Sequence, residues 1–168
     1  MSALDPILRR WPLLALVAAA AMLAIAHAFQ TFGGLAPCHL CLQQREVYWT
    51  ALPIAAAASI SLFTPYALTG RRVGGALLAL TFIYGAYLAG FQAGAEWKWW
   101  PAPETCASAK GSLAGVLALM RGQARAMPAC DKAAWVFLGL SMAGWNFVAS
   151  VGLVGLSVAS VFRPKDQT

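Results

Sequence analysis

Four cysteines are the residues of this chain whose type and spacing could do chemistry. Cys38 and Cys41 form a C-x-x-C pair, and Cys106 and Cys130 follow in a second polar stretch. A C-x-x-C pair closes a small disulfide ring and can cycle between dithiol and disulfide. The spacing therefore favours thiol-disulfide exchange, although four cysteines allow three pairings and two inert structural disulfides remain an alternative.

Two cofactor-centred interpretations fit the cysteines poorly. Attachment of c-type haem places a histidine directly after the second cysteine, where Leu42 stands. A zinc site would need two further ligands from Cys106, Cys130, His39 or His27, and a second C-x-x-C or paired histidines are absent from the sequence. We therefore expect no metal site.

Arg45 favours the redox interpretation of the C-x-x-C pair. If the helix starts near Cys41, Arg45 lies one turn further along the same face. A fixed cation favours thiolate over thiol, and the thiolate is the nucleophile in disulfide exchange. An arginine that reaches from the helix toward the membrane surface is the competing interpretation of Arg45, but its position beside C-x-x-C favours the functional one.

The second pair is harder to interpret. A bridge between Cys106 and Cys130 closes a long loop, and such a pair in a mobile segment is accessible to the thiol of another protein. A disulfide that only fastens the loop fits the sequence equally well.

The composition places the chain in a membrane. Of its 168 residues, 60% are hydrophobic and only 11% are charged, whereas a soluble domain carries about 25% charged residues. The formal charge of +6 comes from basic residues at the ends of apolar segments, as in membrane proteins. We therefore expect lipid rather than nucleic acid as the surrounding partner.

Four apolar segments must position the cysteines. A spanning helix needs about 20 apolar residues, and the sequence predicts spans at about 11–32, 47–63, 73–91 and 141–162, with cysteine loops at about 33–46 and 96–132. The expected fold is an all-α membrane protein, one four-helix domain over residues 1–168. Ser141 is the predicted N-cap of the last span, after an interfacial approach over 133–140. The first segment also resembles a signal peptide with a small-residue site at Ala26-His27-Ala28, but its apolar character continues past that site, so we expect it to stay uncleaved.

Other polar and aromatic residues suggest smaller features. In the second loop Leu113, Val116, Leu117 and Met120 recur with helical spacing, which predicts a short interfacial helix or a loop helix packed on the bundle. The tryptophans around Lys98 are typical of a membrane interface. Gln43 and Gln44 are interpreted as helix-compatible polar residues, and His27 as a hydrogen-bonded packing residue.

Charge predicts the orientation. Lys and Arg number six on the side of the termini (Arg9, Arg10, Arg71, Arg72, Arg163, Lys165) and six on the cysteine side (Arg45, Lys98, Lys110, Arg121, Arg125, Lys132). The charges on the terminal side lie in shorter segments, and the first helix usually dominates. We therefore expect cytoplasmic termini and both cysteine loops on the opposite side.

The chain resembles the DsbB family of disulfide bond formation proteins. The resemblance is carried by Pro-Cys-x-x-Cys-x-x-x-Arg at 37–45, by the second cysteine pair, and by Phe-Leu-Gly-Leu-Ser-Met at 137–142 before Trp145 and Asn146. It implies a quinone-dependent protein-dithiol oxidoreductase of the bacterial inner membrane, with periplasmic cysteine loops and a DsbA-like partner.

The resemblance also implies an order of transfer. The partner's thiolate attacks Cys106 of a Cys106–Cys130 disulfide, Cys130 exchanges with Cys38, and Cys41 donates electrons to ubiquinone or menaquinone held near Arg45. Glu96 and Trp97 are further candidates for this surface. The alternatives are a non-catalytic four-span protein with two structural disulfides, and the reverse chemistry of a quinone reductase similar in logic to the vitamin K epoxide reductase group.

Overall fold

The computed structural model describes residues 5–103, 106, 120 and 128–163. Almost all regular structure within these residues is helical. The elements in chain order are α1 (Asp5–Arg9), α2 (Trp11–Thr31), α3 (His39–Ser61), α4 (Ala67–Glu96), the short strands β1 (Val136–Phe137) and β2 (Leu140–Ser141), and α5 (Met142–Phe162). The predicted helix over 113–120 lies outside the described residues, apart from an exposed helical Met120.

Three of these helices, α2, α4 and α5, are long and apolar enough to cross a membrane. The fourth long helix, α3, has 23 residues, but its first turns contain the polar run from Gln43 to Glu46. The described chain is therefore an all-helical membrane protein, apart from one small hairpin, with three candidate spanning helices.

The helices extend beyond the apolar runs that predicted them. α3 begins at His39 rather than near Val47, and α4 runs from Ala67 to Glu96 rather than over 73–91. Polar residues at helix ends keep their backbone hydrogen bonds outside the apolar layer, so hydropathy underestimates helix length. Residues 39–46 of the predicted first cysteine loop, 33–46, are consequently helical.

Each long helix packs on the next one along the chain, and α4 has contacts with α2, α3 and α5. Small residues permit close approach between α3 and α4, where a Cβ on Gly74 would lie 2.4 Å from the Cβ of Ala58. Leu78 and Phe82 of α4 are fully buried between the helices. α4 is therefore the central element of the bundle.

Polar contacts join the two termini to the α3–α4 turn. Arg163 forms an ion pair with Asp5, with 3.6 Å between Nε and Oδ1, and Arg71 Nη2 donates to the backbone oxygen of Arg163 at 3.2 Å. These contacts place residues 5, 71 and 163 at one end of the bundle. The cysteines occupy the other end.

A two-residue β-hairpin leads into α5. Leu138 and Gly139 both have positive φ, 50° and 80°, the conformation of a tight hairpin turn. Ser141 caps α5, because its side chain accepts a hydrogen bond from the amide of Gly144 at 3.1 Å. The predicted N-cap is confirmed, whereas the hairpin over 136–141 was not predicted.

Candidate functional site

Cys38 and Cys41 form a disulfide at the amino-terminal end of α3, with Cα atoms 5.0 Å apart. Cys38 is the N-cap of α3, and its sulfur accepts a hydrogen bond from the Cys41 amide at 3.2 Å. An N-terminal helix end carries unpaired N–H groups and partial positive charge, which stabilise a thiolate. The helix thus favours the reactive form of both cysteines once they are reduced.

The two cysteines differ in what they face. Cys38 is only 3% exposed and belongs to the buried core, whereas Cys41 lines an open cavity of about 460 Å³. The cavity lies between α2, α3, α5 and the hairpin, with Gln92 from α4. Its lining is mostly apolar and aromatic, and includes Met22, Ile25, Phe29, Leu35, Pro37, Trp135, Phe137, Met142 and Trp145. Cys41 is therefore the cysteine whose sulfur a ligand in this cavity can contact.

Arg45 lines the same cavity as Cys41. Its guanidinium donates hydrogen bonds to Gln30 Oε1 at 2.5 Å and to the backbone oxygen of Ala26 at 3.0 Å. Both acceptors lie on α2, so the cation is held across the α2–α3 interface. The expectation that Arg45 and Cys41 share one face is confirmed.

Four polar residues of the site were missed in the sequence. Gln44, Tyr48, Gln92 and Asn146 line the cavity and are hydrogen-bonded to one another. Gln44 had been interpreted only as helix-compatible. A signal for two of them was present, because Gln92 and Asn146 interrupt apolar helices, where polar side chains are costly and commonly functional.

The second disulfide joins Cys106 and Cys130, whose Cα atoms are 5.5 Å apart. Cys106 is 4% exposed and Cys130 1%, and both belong to the same core cluster as Cys38. Both cysteines are therefore buried in this structure, and the choice between an exchanging and a loop-fastening disulfide stays a prediction. Both cysteine side chains lie in the core cluster at this end of the bundle, which shields the disulfide from solvent.

An ion pair holds the segment that carries Cys130. Lys98 Nζ donates to Asp131 Oδ2 at 2.6 Å and to the Asp131 backbone oxygen at 3.0 Å. The hydrogen bond from Lys98 lowers the pKa of the Asp131 carboxyl below its ordinary value near 3.8. The residue after Cys130 is thus fastened to the segment that follows α4.

We expect Asp131→Asn to lower the melting temperature slightly at neutral pH, by less than about 4 °C, because this ion pair is largely exposed. A carboxyl with a lowered folded-state pKa stabilises the fold above its unfolded pKa, and that contribution disappears as the pH falls through the lower folded value. The difference between the two proteins should therefore shrink below pH 3.8. Thermal unfolding at several pH values measures it, and a difference that grows in acid would contradict this role.

The remaining candidate residues lie beside the cavity. Glu96 accepts a hydrogen bond from Gln92 Nε2 at 3.2 Å but is not part of the lining. Trp97 lines a separate apolar cavity between α4 and α5. His27 bonds through Nδ1 to the backbone oxygen of Leu23 at 2.8 Å, in agreement with a packing role. Within the described residues, no three His, Cys, Asp or Glu side chains are grouped to hold a metal ion.

Comparison with known proteins places this site in a family. The sequence profile described as "Disulfide bond formation protein DsbB" matches residues 8–160. The chain belongs to the DsbB family. A DsbB-family relative from Albidiferax ferrireducens, named disulfide bond formation protein B, is 33% identical over 155 residues, covering 88% of this chain and 83% of the relative.

Two further relatives with the same name come from Polaromonas. The protein of Polaromonas sp. is 30% identical over 161 residues, covering 90% of each chain. That of Polaromonas naphthalenivorans is 33% identical over 157 residues, covering 87% of this chain and 89% of the relative. Membership of the DsbB family supports a role in disulfide bond formation, as a disulfide-generating oxidoreductase with redox-active cysteines.

Proposed function

We propose that this protein oxidises a periplasmic DsbA-like dithiol protein and passes the electrons to a membrane quinone. The observation that carries the proposal is the asymmetry of the cysteines. Cys41 lines the cavity together with Arg45, while Cys38, Cys106 and Cys130 lie in the buried cluster next to it. Electrons that pass from Cys106 through the cysteines to Cys41 would therefore arrive at a cavity that can hold a ligand.

The cavity suits a quinone. Ligand sites of this kind are commonly 300–1,000 Å³, mostly apolar, with a few polar groups that fix orientation. Here Phe29, Trp135 and Phe137 offer flat apolar surface, and Arg45 offers a cation for a carbonyl oxygen. The chemistry that a bound quinone supplies is acceptance of two electrons and two protons.

The cysteines would move the electrons by successive thiol-disulfide exchange. A partner thiolate attacks Cys106, the Cys106–Cys130 bond breaks, and Cys130 leaves as a thiolate. Cys130 then attacks Cys38, which releases Cys41 as a thiolate beside Arg45.

The partner's second thiol attacks the mixed disulfide and leaves as an oxidised protein, and Cys106 recaptures Cys130. Cys38 and Cys41 are then both reduced. When their disulfide forms again, it releases the two electrons and two protons received from the partner.

Burial of the second disulfide means that the first exchange step requires a change in the accessibility of Cys106. An attacking thiolate must approach along the S–S axis, and neither sulfur of the Cys106–Cys130 bond is exposed in the structure. We infer that partner docking makes Cys106 accessible. The same burial favours the alternative of a purely structural disulfide, which the Cys106 variant described in the Discussion tests.

We infer that α3 is a fourth membrane span. It packs between α2 and α4, both of which are apolar enough to cross, and its polar residues are concentrated in the first turns beside the cysteines. Four spans put both termini on one side of the membrane. We propose that this is the cytoplasmic side of a bacterial inner membrane. The cysteines then face the periplasm, and the segment over 113–120 is proposed as an interfacial helix.

Arg45→Ala should raise the apparent KM for quinone by about tenfold or more, because a charge-assisted hydrogen bond contributes about 1.5–3 kcal/mol. Arg45→Lys should recover part of this loss. The lysine keeps the positive charge but lacks the planar guanidinium, which donates through two nitrogen atoms at once. Steady-state quinone reduction at varied quinone concentration measures both variants. An unchanged KM in Arg45→Ala would remove Arg45 from the quinone site.

The function itself is tested by turnover. The purified protein in lipid nanodiscs is mixed with a reduced DsbA-like protein, with and without a soluble ubiquinone or menaquinone analogue. We expect catalytic oxidation of the partner only when quinone is present. Partner oxidation that proceeds equally without quinone and without oxygen would refute the proposed acceptor.

A further inference from the structure

A directional chain of buried hydrogen bonds ends at the sulfur of Cys41. Tyr48 Oη donates to Asn146 Oδ1, Asn146 Nδ2 donates to Gln44 Oε1 at 2.5 Å, and Gln44 Nε2 donates to Gln92 Oε1 at 2.8 Å. Gln92 Nε2 then lies 3.6 Å from Cys41 Sγ. The chain crosses from α3 to α5, back to α3, and on to α4.

The direction of this chain is fixed by its last member. Gln92 Nε2 donates to Glu96 Oε1 at 3.2 Å, and a carboxylate oxygen accepts, so the oxygen of the Gln92 amide faces Gln44 and accepts from it. The same logic repeats at Gln44 and Asn146, because an amide whose NH2 group donates to one neighbour accepts through its oxygen from the other. Tyr48, whose hydroxyl also lies 3.3 Å from Ser150 Oγ, then donates to Asn146. All four residues are buried, so a reversed amide would leave unsatisfied polar groups.

The last amide serves two acceptors. Gln92 Nε2 has two hydrogens, and its neighbours are Cys41 Sγ and Glu96 Oε1. A disulfide sulfur carries no hydrogen, so it can only accept from Gln92. Two charged groups accompany this arrangement: Arg45 on α3 lines the cavity with Cys41, and Glu96 on α4 accepts from Gln92. No acidic or basic residue occurs in the first turn of α5.

We propose that Tyr48, Asn146 and Gln44 are positioning residues that aim the Gln92 amide at Cys41 and thereby stabilise its thiolate after reduction. A thiolate accepts a hydrogen bond more strongly than a thiol, so a fixed N–H donor favours ionisation. The chain would act together with Arg45, which lines the same cavity as Cys41. This inference deepens the proposed function and rests on it for its role in electron transfer.

The test measures ionisation of Cys41 directly. In full-length protein with Cys38, Cys106 and Cys130 each replaced by Ser, the rate of Cys41 alkylation is followed against pH, without quinone or partner. Gln92→Leu should raise the apparent pKa of Cys41 by about one unit, which slows alkylation about tenfold at a pH below that pKa. Tyr48→Phe and Asn146→Leu, which touch no sulfur, should each slow it by about three- to tenfold.

Two comparisons separate positioning from general damage. Tyr84→Phe, at an exposed tyrosine of α4, should leave the pKa of Cys41 unchanged. Asn146→Asp keeps the shape of Asn146 but, as a carboxylate, has no donor for Gln44, so it should act like Asn146→Leu. An unchanged pKa of Cys41 in folded Tyr48→Phe and Asn146→Asp proteins would overturn the inference.

The readout is independent of the electron acceptor. If alkylation changes as expected while quinone reduction is absent, the positioning chain stands and the proposed function fails. If quinone is reduced normally and the pKa of Cys41 does not move in any chain variant, the proposed function stands and the chain has only a packing role, which overturns the inference.

Discussion

Cys41→Ser should abolish quinone reduction, with a loss of at least about 1,000-fold in turnover. The hydroxyl of serine is neither a thiolate at neutral pH nor able to form a disulfide with Cys38, so the last exchange before the acceptor has no chemical substitute. Cys41 is also the only one of the four cysteines that lines the Arg45 cavity. Anaerobic quinone reduction, driven by a reduced DsbA-like protein, measures the loss.

A neighbouring substitution controls for disturbance of the helix end. Leu42 follows Cys41 in the first turns of α3 and is partly exposed, so Leu42→Ala should retain turnover within about threefold of the parent protein. If Cys41→Ser retained turnover within tenfold of the parent, Cys41 could not be the sulfur that faces the electron acceptor.

Cys106→Ser should abolish oxidation of the protein partner while the Cys38–Cys41 pair stays competent. Without a disulfide at Cys106, the partner's thiolate has no sulfur to attack in the second pair. A small dithiol such as dithiothreitol can enter the cavity beside Cys41, so it should still drive quinone reduction in this variant. Comparing the two electron donors on the same preparation gives the result.

The two donors distinguish an active second disulfide from a structural one. If Cys106 and Cys130 only fasten the loop, Cys106→Ser should reduce thermal stability and affect turnover with both donors to a similar degree. Selective loss with the protein donor supports the exchange role. Full activity with the protein donor would exclude Cys106 as the entry point.

The helices and the first cysteine site could be predicted because their signals are local. Apolar runs of sufficient length identify spans, and Ser141 stands at the start of the last one as a capping residue. Arg45 was paired with Cys41 because one helical turn separates them. These features depend on neighbours in sequence. In the structure, three helices are long and apolar enough to span a membrane, Ser141 caps α5, and Arg45 and Cys41 line one cavity.

Features that depend on contacts between distant segments were not predictable in the same way. The hydrogen bond from Asn146 to Gln44 joins α5 to α3, and no spacing rule links the two positions. Burial of Cys106 and Cys130 in the same core cluster as Cys38 likewise brings together positions far apart in sequence. The helical start of α3 at His39 lies ahead of the predicted apolar span, because hydropathy reports the apolar layer rather than the whole helix.

The stoichiometry of a single anaerobic turnover tests the central claim most directly. Oxidised protein in nanodiscs with a known amount of quinone is mixed with limiting reduced DsbA-like protein, and the partner's disulfides and the reduced quinone are both counted. We expect one reduced quinone for each partner disulfide formed, and none in Cys41→Ser. Partner disulfides formed by the parent protein without matching quinone reduction would contradict it.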